Sequence, residues 1–383
     1  MTLDAAPVDP GGLLEYSVVF TGRSLNHMSR PFQQVMRDIS ALLRQVYAAE
    51  AVAVVPGGGT YGMESIARQF ADGKSCLIIR NGWFSYRWSQ ILDMGRLAAR
   101  STVLKASRID DAPQSPWAPP PIEDVEAAIA RDRPDVVFAP HVETASGIVL
   151  PDEYLDRVAR ATHAHDGLFV LDCVASGALW LDMRARGIDV LLSAPQKAWS
   201  ASPCSGLVML GAEALRRLEQ TQNSSFALDL RKWLQIMQAY ENGGHAYHAT
   251  LPTDALRRFR DAAQETVGLG LHALRDAQWL LGRRVRAMLA RHGFRSVAAP
   301  GFEAPGVVVS YTDDPLISSG ARFAAAGIQS AAGVPLMCDE PPDFRSFRIG
   351  LFGIDKLRDV EGTVARLEPA VATLAGRPAS KPA

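Results

Sequence analysis

Apolar residues recur at Phe32, Val35, Met36, Ile39, Leu42, Leu43 and Val46, the spacing of one helix face, just after Pro31. The pattern predicts an amphipathic helix over residues 31–49 and a large domain that starts with it. Beyond this point the period changes. Short apolar runs at residues 51–55, 76–79, 135–139, 168–171, 190–192 and 207–210 alternate with helical patterns. Runs that are apolar throughout suit strands covered on both faces, and their alternation with helices predicts an α/β fold on a mostly parallel sheet. Sites in such sheets gather at the carboxyl ends of the strands.

Residues 112–121 carry five prolines and read as a surface excursion, because the strand pattern resumes soon afterwards. A long helical segment follows Pro252, with Leu256, Phe259, Ala263, Val267, Trp279, Leu280 and Val285 on its apolar positions. It is expected to connect a large domain over residues 31–264 to a smaller α+β domain over residues 265–383. That smaller domain holds strand-like runs at residues 307–310 and 347–350 and a final helix from Asp355. Residues 1–30 are expected to form an N-terminal segment that lines the active site.

Composition narrows the function. The 383 residues are 48% hydrophobic, enough for two buried cores, and 40 basic against 41 acidic residues leave a net charge of −1. No general field draws such a chain to nucleic acid or to an anionic membrane, so small-molecule chemistry is favoured. Cys76, Cys173, Cys204 and Cys338 lie far apart, with no spacing suited to zinc, which predicts reduced thiols in a cytoplasmic protein. No run of about 18 apolar residues predicts a membrane span.

The candidate chemistry lies just past the predicted strands. Asp172 ends an otherwise apolar strand, and a carboxylate placed there needs a cationic partner. Lys197 follows the next strand, where an apolar wall and an aromatic ring lower a lysine's pKa. A lysine amine and a facing carboxylate are what a pyridoxal phosphate site needs, one to hold the aldehyde as a Schiff base, the other to keep the pyridine nitrogen protonated. Gly57-Gly58-Gly59-Thr60 opens a strand into a helix, which suits either an anion site or plain turn geometry. Asn81-Gly82-Trp83-Phe84-Ser85-Tyr86-Arg87-Trp88 supplies rings for stacking on a heteroaromatic cofactor or for core packing. Thr144, in His141-Val142-Glu143-Thr144-Ala145-Ser146-Gly147, bonds either a phenolic oxygen or its own backbone. Arg348, inside the apolar run Phe347-Arg348-Ile349-Gly350, faces a carboxylate of a substrate or of the protein.

Taken in order, these motifs resemble the class V aminotransferases of the fold-type-I pyridoxal phosphate superfamily, in the alanine–glyoxylate, serine–pyruvate and 2-aminoethylphosphonate–pyruvate branch. The resemblance spans roughly residues 30–375 and implies a mostly parallel seven-stranded sheet with a smaller C-terminal domain. Carried over residue by residue, it gives Gly58, Gly59, Thr60 and Gln196 to the phosphate of pyridoxal 5'-phosphate. Phe84 and Val174 fall on the two ring faces, Thr144 on the phenolic oxygen, Asp172 on the ring nitrogen and Lys197 on the Schiff base. Tyr247 and Thr250, in Tyr247-His248-Ala249-Thr250-Leu251-Pro252, match residues that reach the phosphate of a neighbouring subunit, which implies a homodimer with shared sites. Arg348 matches the arginine that holds the substrate α-carboxylate. The family's proline-glycine-proline opening is missing: Phe20-Thr21-Gly22-Arg23 stands there, and Arg23 either grips a distal acidic group of the substrate or pairs on the surface.

The implied reaction is ping-pong transamination of a small amino acid or aminophosphonate with a 2-oxo acid such as glyoxylate or pyruvate. A second reading keeps the cofactor in a lyase, cysteine desulfurase-like or β-eliminating, with Cys338 as the available nucleophile. The acidic neighbours of Cys338 oppose its ionisation. A third reading, a cofactor-binding regulatory module, lacks room for a DNA-binding segment before the first helix.

Overall fold

The computed structural model describes residues 16–18 and 24–376. Helix α1 (Arg30–Tyr47) starts at Ser29, whose hydroxyl accepts the Phe32 N–H, and ends at Ala48 in the left-handed conformation. Its apolar face buries Phe32, Val35, Met36, Ile39 and Leu43. The chain then enters strand β1 (Ala51–Pro56), helix α2 (Gly59–Phe70), β2 (Ser75–Arg80), α3 (Trp83–Gly95) and β3 (Arg100–Lys105). Next come α4 (Ile122–Asp132), β4 (Val136–Pro140), α5 (Asp152–His163), β5 (Leu168–Asp172), β6 (Val190–Ser193) and β7 (Ser205–Leu210). These seven strands form one sheet in the order β1-β7-β6-β5-β4-β2-β3. The β2–β3, β2–β4, β4–β5 and β5–β6 pairs are parallel, while β7 runs antiparallel to both of its neighbours. The fold is therefore the expected α/β architecture with a mostly parallel seven-stranded sheet.

Strand β3 escapes the apolar-run criterion because it lies at the sheet edge, where its residues are exposed or half-buried and its sequence is Arg-Ser-Thr-Val-Leu-Lys. The helical segment after Pro252 is two helices, α6 (Thr253–Gly268) and α7 (Leu271–Arg291). They part at Gly270, whose φ of 89° takes the chain out of the helical region. The two helices serve different cores. Leu256, Phe259 and Ala263 join the cluster around the seven-stranded sheet. Leu274, Leu281, Val285 and Met288 pack instead with Phe347, Ile349, Leu367 and Val371. In that second lobe β8 (Val307–Tyr311), β9 (Ala331–Ala332) and β10 (Ser346–Gly350) make an antiparallel sheet with β10 in the centre. The final helical stretch is broken at Asp359, which caps helix α8 (Val360–Leu374).

The proline-rich excursion is tied to the second lobe. Trp117 is 2% exposed, its N–H donates to Val297 O at 2.7 Å, and its indole donates to the Tyr311 hydroxyl at 2.9 Å. A third cluster, with Val142, Ala145 and Ile148 against Val307, Val309 and Leu336, continues this contact between the lobes. Among the described residues no helix is long and apolar enough to cross a membrane, and no group of His, Cys, Asp or Glu is placed to hold a metal ion.

Candidate active site

Three parallel strands end together. Pro140 of β4 and Leu192 of β6 flank Asp172 of β5 in register, so the loops that follow these strands open on one place. There a cavity of about 370 Å³ is walled by the large sheet on one side and by Val307, Ala331, Arg348, Gly350 and Phe352 on the other. Of the residues expected in the site, Gly59, Thr60, Phe84, Thr144, Asp172, Val174, Gln196, Lys197 and Arg348 line it.

The glycine turn is shaped by need. Gly57 has a φ of 116°, and a Cβ on Gly59 would come 2.8 Å from a methyl of Val174. Gly58 precedes the first turn of α2 and does not line the cavity. Asp172 is 8% exposed and accepts the Val174 N–H at 2.9 Å. Burial raises its carboxyl to about 7, the Val174 N–H opposes this, and the Glu143 charge adds to it. The Arg87 charge acts the other way without offsetting burial, so the carboxylate still calls for a closer cation. Lys197 is held below the ordinary lysine range, first by burial and then by the Arg348 charge. Its Nζ lies 4.8 Å from the centre of the Phe352 ring. The Gln196 Oε1 is buried without a hydrogen-bond partner.

Of the four rings after β2, only Phe84 reaches the cavity, while Trp88 is core and stacks on Phe138 at 4.4 Å. Arg348 donates from Nε to Ala332 O at 2.7 Å, and its guanidinium carbon lies 5.5 Å from the centre of the Phe84 ring. Tyr247 and Thr250 stand outside the cavity on an exposed loop, with their hydroxyls 3.4 Å apart. Arg23 lies outside the described residues.

Several residues of the site carry no assignment from the sequence. Arg87 and Phe352 line the cavity. Glu143 is fully buried and accepts the Phe84 N–H at 3.3 Å and the Ser85 N–H at 2.8 Å, which fixes the start of α3. Like Asp172, Glu143 is a carboxylate close behind an apolar strand, a pattern visible in the sequence. His141 is also buried, with Nδ1 2.8 Å from the Ser176 hydroxyl, and burial lowers its pKa to about 4.

A buried carboxylate, a deprotonation-prone amine and a cradle that a Cβ would fill are the features of a site for an aromatic phosphate cofactor, and known proteins point the same way. The family model for class-V aminotransferases matches residues 14–300, and the chain belongs to that family. Alanine–glyoxylate aminotransferase of Callithrix jacchus is 28% identical over 275 residues, which cover 70% of this chain and 62% of that protein. The chain thus spans less than two thirds of that relative. 2-Aminoethylphosphonate–pyruvate transaminase 1 of Burkholderia lata is 28% identical over 351 residues, covering 90% of this chain and 89% of the relative. Among solved structures, alanine–glyoxylate aminotransferase from Nostoc sp. superposes with a TM-score of 0.77 at 21% identity, covering 91% of this chain and 89% of the other. Aspartate aminotransferase from Thermus thermophilus gives 0.75 at 22% identity, covering 91% and 93%. These superpositions establish the fold.

Proposed function

We propose that the chain is an aminotransferase that moves the amino group of a small amino acid or aminophosphonate to a 2-oxo acid such as glyoxylate or pyruvate, with pyridoxal 5'-phosphate as cofactor. The observation that carries this reading is the placement of Lys197 and Asp172 in one cavity, the amine eased toward its neutral, nucleophilic form and the carboxylate buried where a cationic partner would restore its charge. Bound there, the cofactor supplies a protonated pyridine ring that withdraws electrons from the substrate's α-carbon.

The chain's own residues do the rest. Asp172 holds the proton on the ring nitrogen, and the pairing supplies the close cation that its buried carboxylate lacks. Phe84 and Val174 pack against the ring, and Thr144 donates to its phenolic oxygen. Gly59, Thr60 and Gln196 take the phosphate, with the N-terminus of α2 adding positive partial charge. Arg348 binds the substrate carboxylate with its planar fork. Lys197, its basicity moderated by burial, accepts the α-proton and hands it back. A homodimer places Tyr247 and Thr250 at the partner's phosphate. Cys338 does not serve a desulfurase: it is 4% exposed, lies outside the cavity lining, and burial with Glu143 and Glu340 pushes its thiol up to about 12.

The test is a half-reaction screen. Alanine, serine, glutamate and 2-aminoethylphosphonate are each added to cofactor-loaded protein, and the visible spectrum is followed. Conversion to the colourless aminated cofactor with release of the matching oxo compound is expected for at least one donor. Sulfide release from cysteine that Cys338→Ser abolishes would establish the lyase reading instead.

A further inference from the structure

We propose that Arg87 is a direct binding residue for the cofactor's phosphate, an assignment that rests on the function proposed above. The turn into α2 is Gly57-Gly58-Gly59, three residues with no side-chain donor, so it offers an oxyanion only backbone N–H groups and the Thr60 hydroxyl. Arg87 reaches the same point from α3. Its Nη1 donates to Thr60 Oγ1 at 2.9 Å, and its guanidinium carbon lies 4.7 Å from the centre of the Phe84 ring. Both Arg87 and Thr60 line the cavity.

Two consequences follow from that geometry. Since the Thr60 oxygen accepts from Arg87, the Thr60 hydroxyl hydrogen is free to point at an anion. Stacking on Phe84 also restrains the guanidinium plane, so its remaining N–H donors are held in place without help from a carboxylate. Among the described residues Arg87 forms no ion pair, whereas Arg157, Arg186 and Arg260 are each paired twice. The cavity's other guanidinium, Arg348, is bonded to Ala332 O on the second lobe's wall. A restrained, unpaired guanidinium beside a helix N-terminus matches a phosphate dianion in charge and in shape.

The experiment compares binding of pyridoxal 5'-phosphate and of pyridoxal, which lacks the phosphate, to cofactor-free wild type and Arg87→Gln, read by visible absorption. The variant should lose at least about tenfold in affinity for the phosphate ester and less than about threefold for pyridoxal, the mark of a charge-assisted contact to the phosphate alone. Arg87→Lys, which keeps the charge and loses the fork, should lose less than Arg87→Gln for the same ligand, and it carries the test alone if the glutamine variant does not fold. Equal losses for both ligands would overturn the assignment and make Arg87 a support for the Phe84 ring. Unchanged cofactor affinity with a raised KM for 2-aminoethylphosphonate would overturn it in favour of the substrate's own anionic end. Wild-type protein that binds neither ligand would remove the proposed function itself, and this inference with it.

Discussion

Asp172 ties stability to function at the scale of one residue. Its carboxyl is raised from 3.8 to about 7. Between those values the folded, cofactor-free protein keeps a proton that the unfolded chain has released. Its stability therefore falls as pH rises through this window, by an amount on the order of a few kcal/mol across it. A protonated ring nitrogen beside the carboxylate removes that cost. The rise in Tm on adding pyridoxal 5'-phosphate should be larger at pH 8 than at pH 5.5, and Asp172→Asn should flatten the difference. The same variant should melt higher than wild type without cofactor at pH 8, yet turn over about 100-fold or more slowly, the scale of a lost electrostatic contact to reacting atoms. Differential scanning fluorimetry and steady-state kinetics check the two halves. For Lys197→Ala the expectation is simpler. Turnover should fall by at least the roughly 10²–10⁴-fold that a positioned base supplies, and the visible band of the loaded protein should vanish.

At the scale of elements, the site depends on how closely α2 lies on the sheet. A Cβ on Gly206 of β7 would meet the Gly62 Cα at 2.8 Å and the Gly58 carbonyl oxygen at 3.1 Å, all backbone of the turn and helix that face the cavity. Gly206→Ala should push α2 outward. A loss of about 1–3 kcal/mol in denaturant unfolding is expected, the range for overpacking, together with weaker cofactor binding although position 206 does not line the cavity. Unchanged binding in a destabilised variant would show that the turn moves independently of the helix. This contact also marks where the sequence stops being legible. Strand ends were readable because an apolar run followed by Asp172 or Lys197 has a physical reading on its own. The partners across space were not. Nothing local distinguishes Gly206 from a glycine in a loop, shows that Trp117 leaves a proline-rich excursion to reach Tyr311, or shows that Arg87 turns back to Thr60. The edge strand β3 was lost because periodicity registers burial, and an edge has little of it.

At the scale of the whole molecule, the chain leaves several large rings exposed. Tyr61 of α2, Phe226 and Tyr247 are 54%, 77% and 63% exposed. They lie along one connected surface: Ser65 of α2 donates to Leu228 O at 2.8 Å, and the Phe226 ring sits 4.6 Å from that of His248. In the homodimer proposed above, such a face would meet its own copy, and the loop carrying Tyr247 and Thr250 would cross to the partner's glycine turn. Subunit mixing separates this arrangement from one in which the loop serves its own site. Lys197→Ala homodimers should be inactive, and Tyr247→Ala/Thr250→Ala homodimers should bind the cofactor poorly. In a mixed dimer with shared sites, one site combines both defects, while the other has an intact Lys197 and receives an intact Tyr247 from the partner. Random exchange at equal amounts makes half the dimers mixed with one good site each, so activity should return to about one quarter of wild type. If Tyr247 acts within its own subunit, every site in the mixture keeps one defect, and mixing recovers nothing above the sum of the parents.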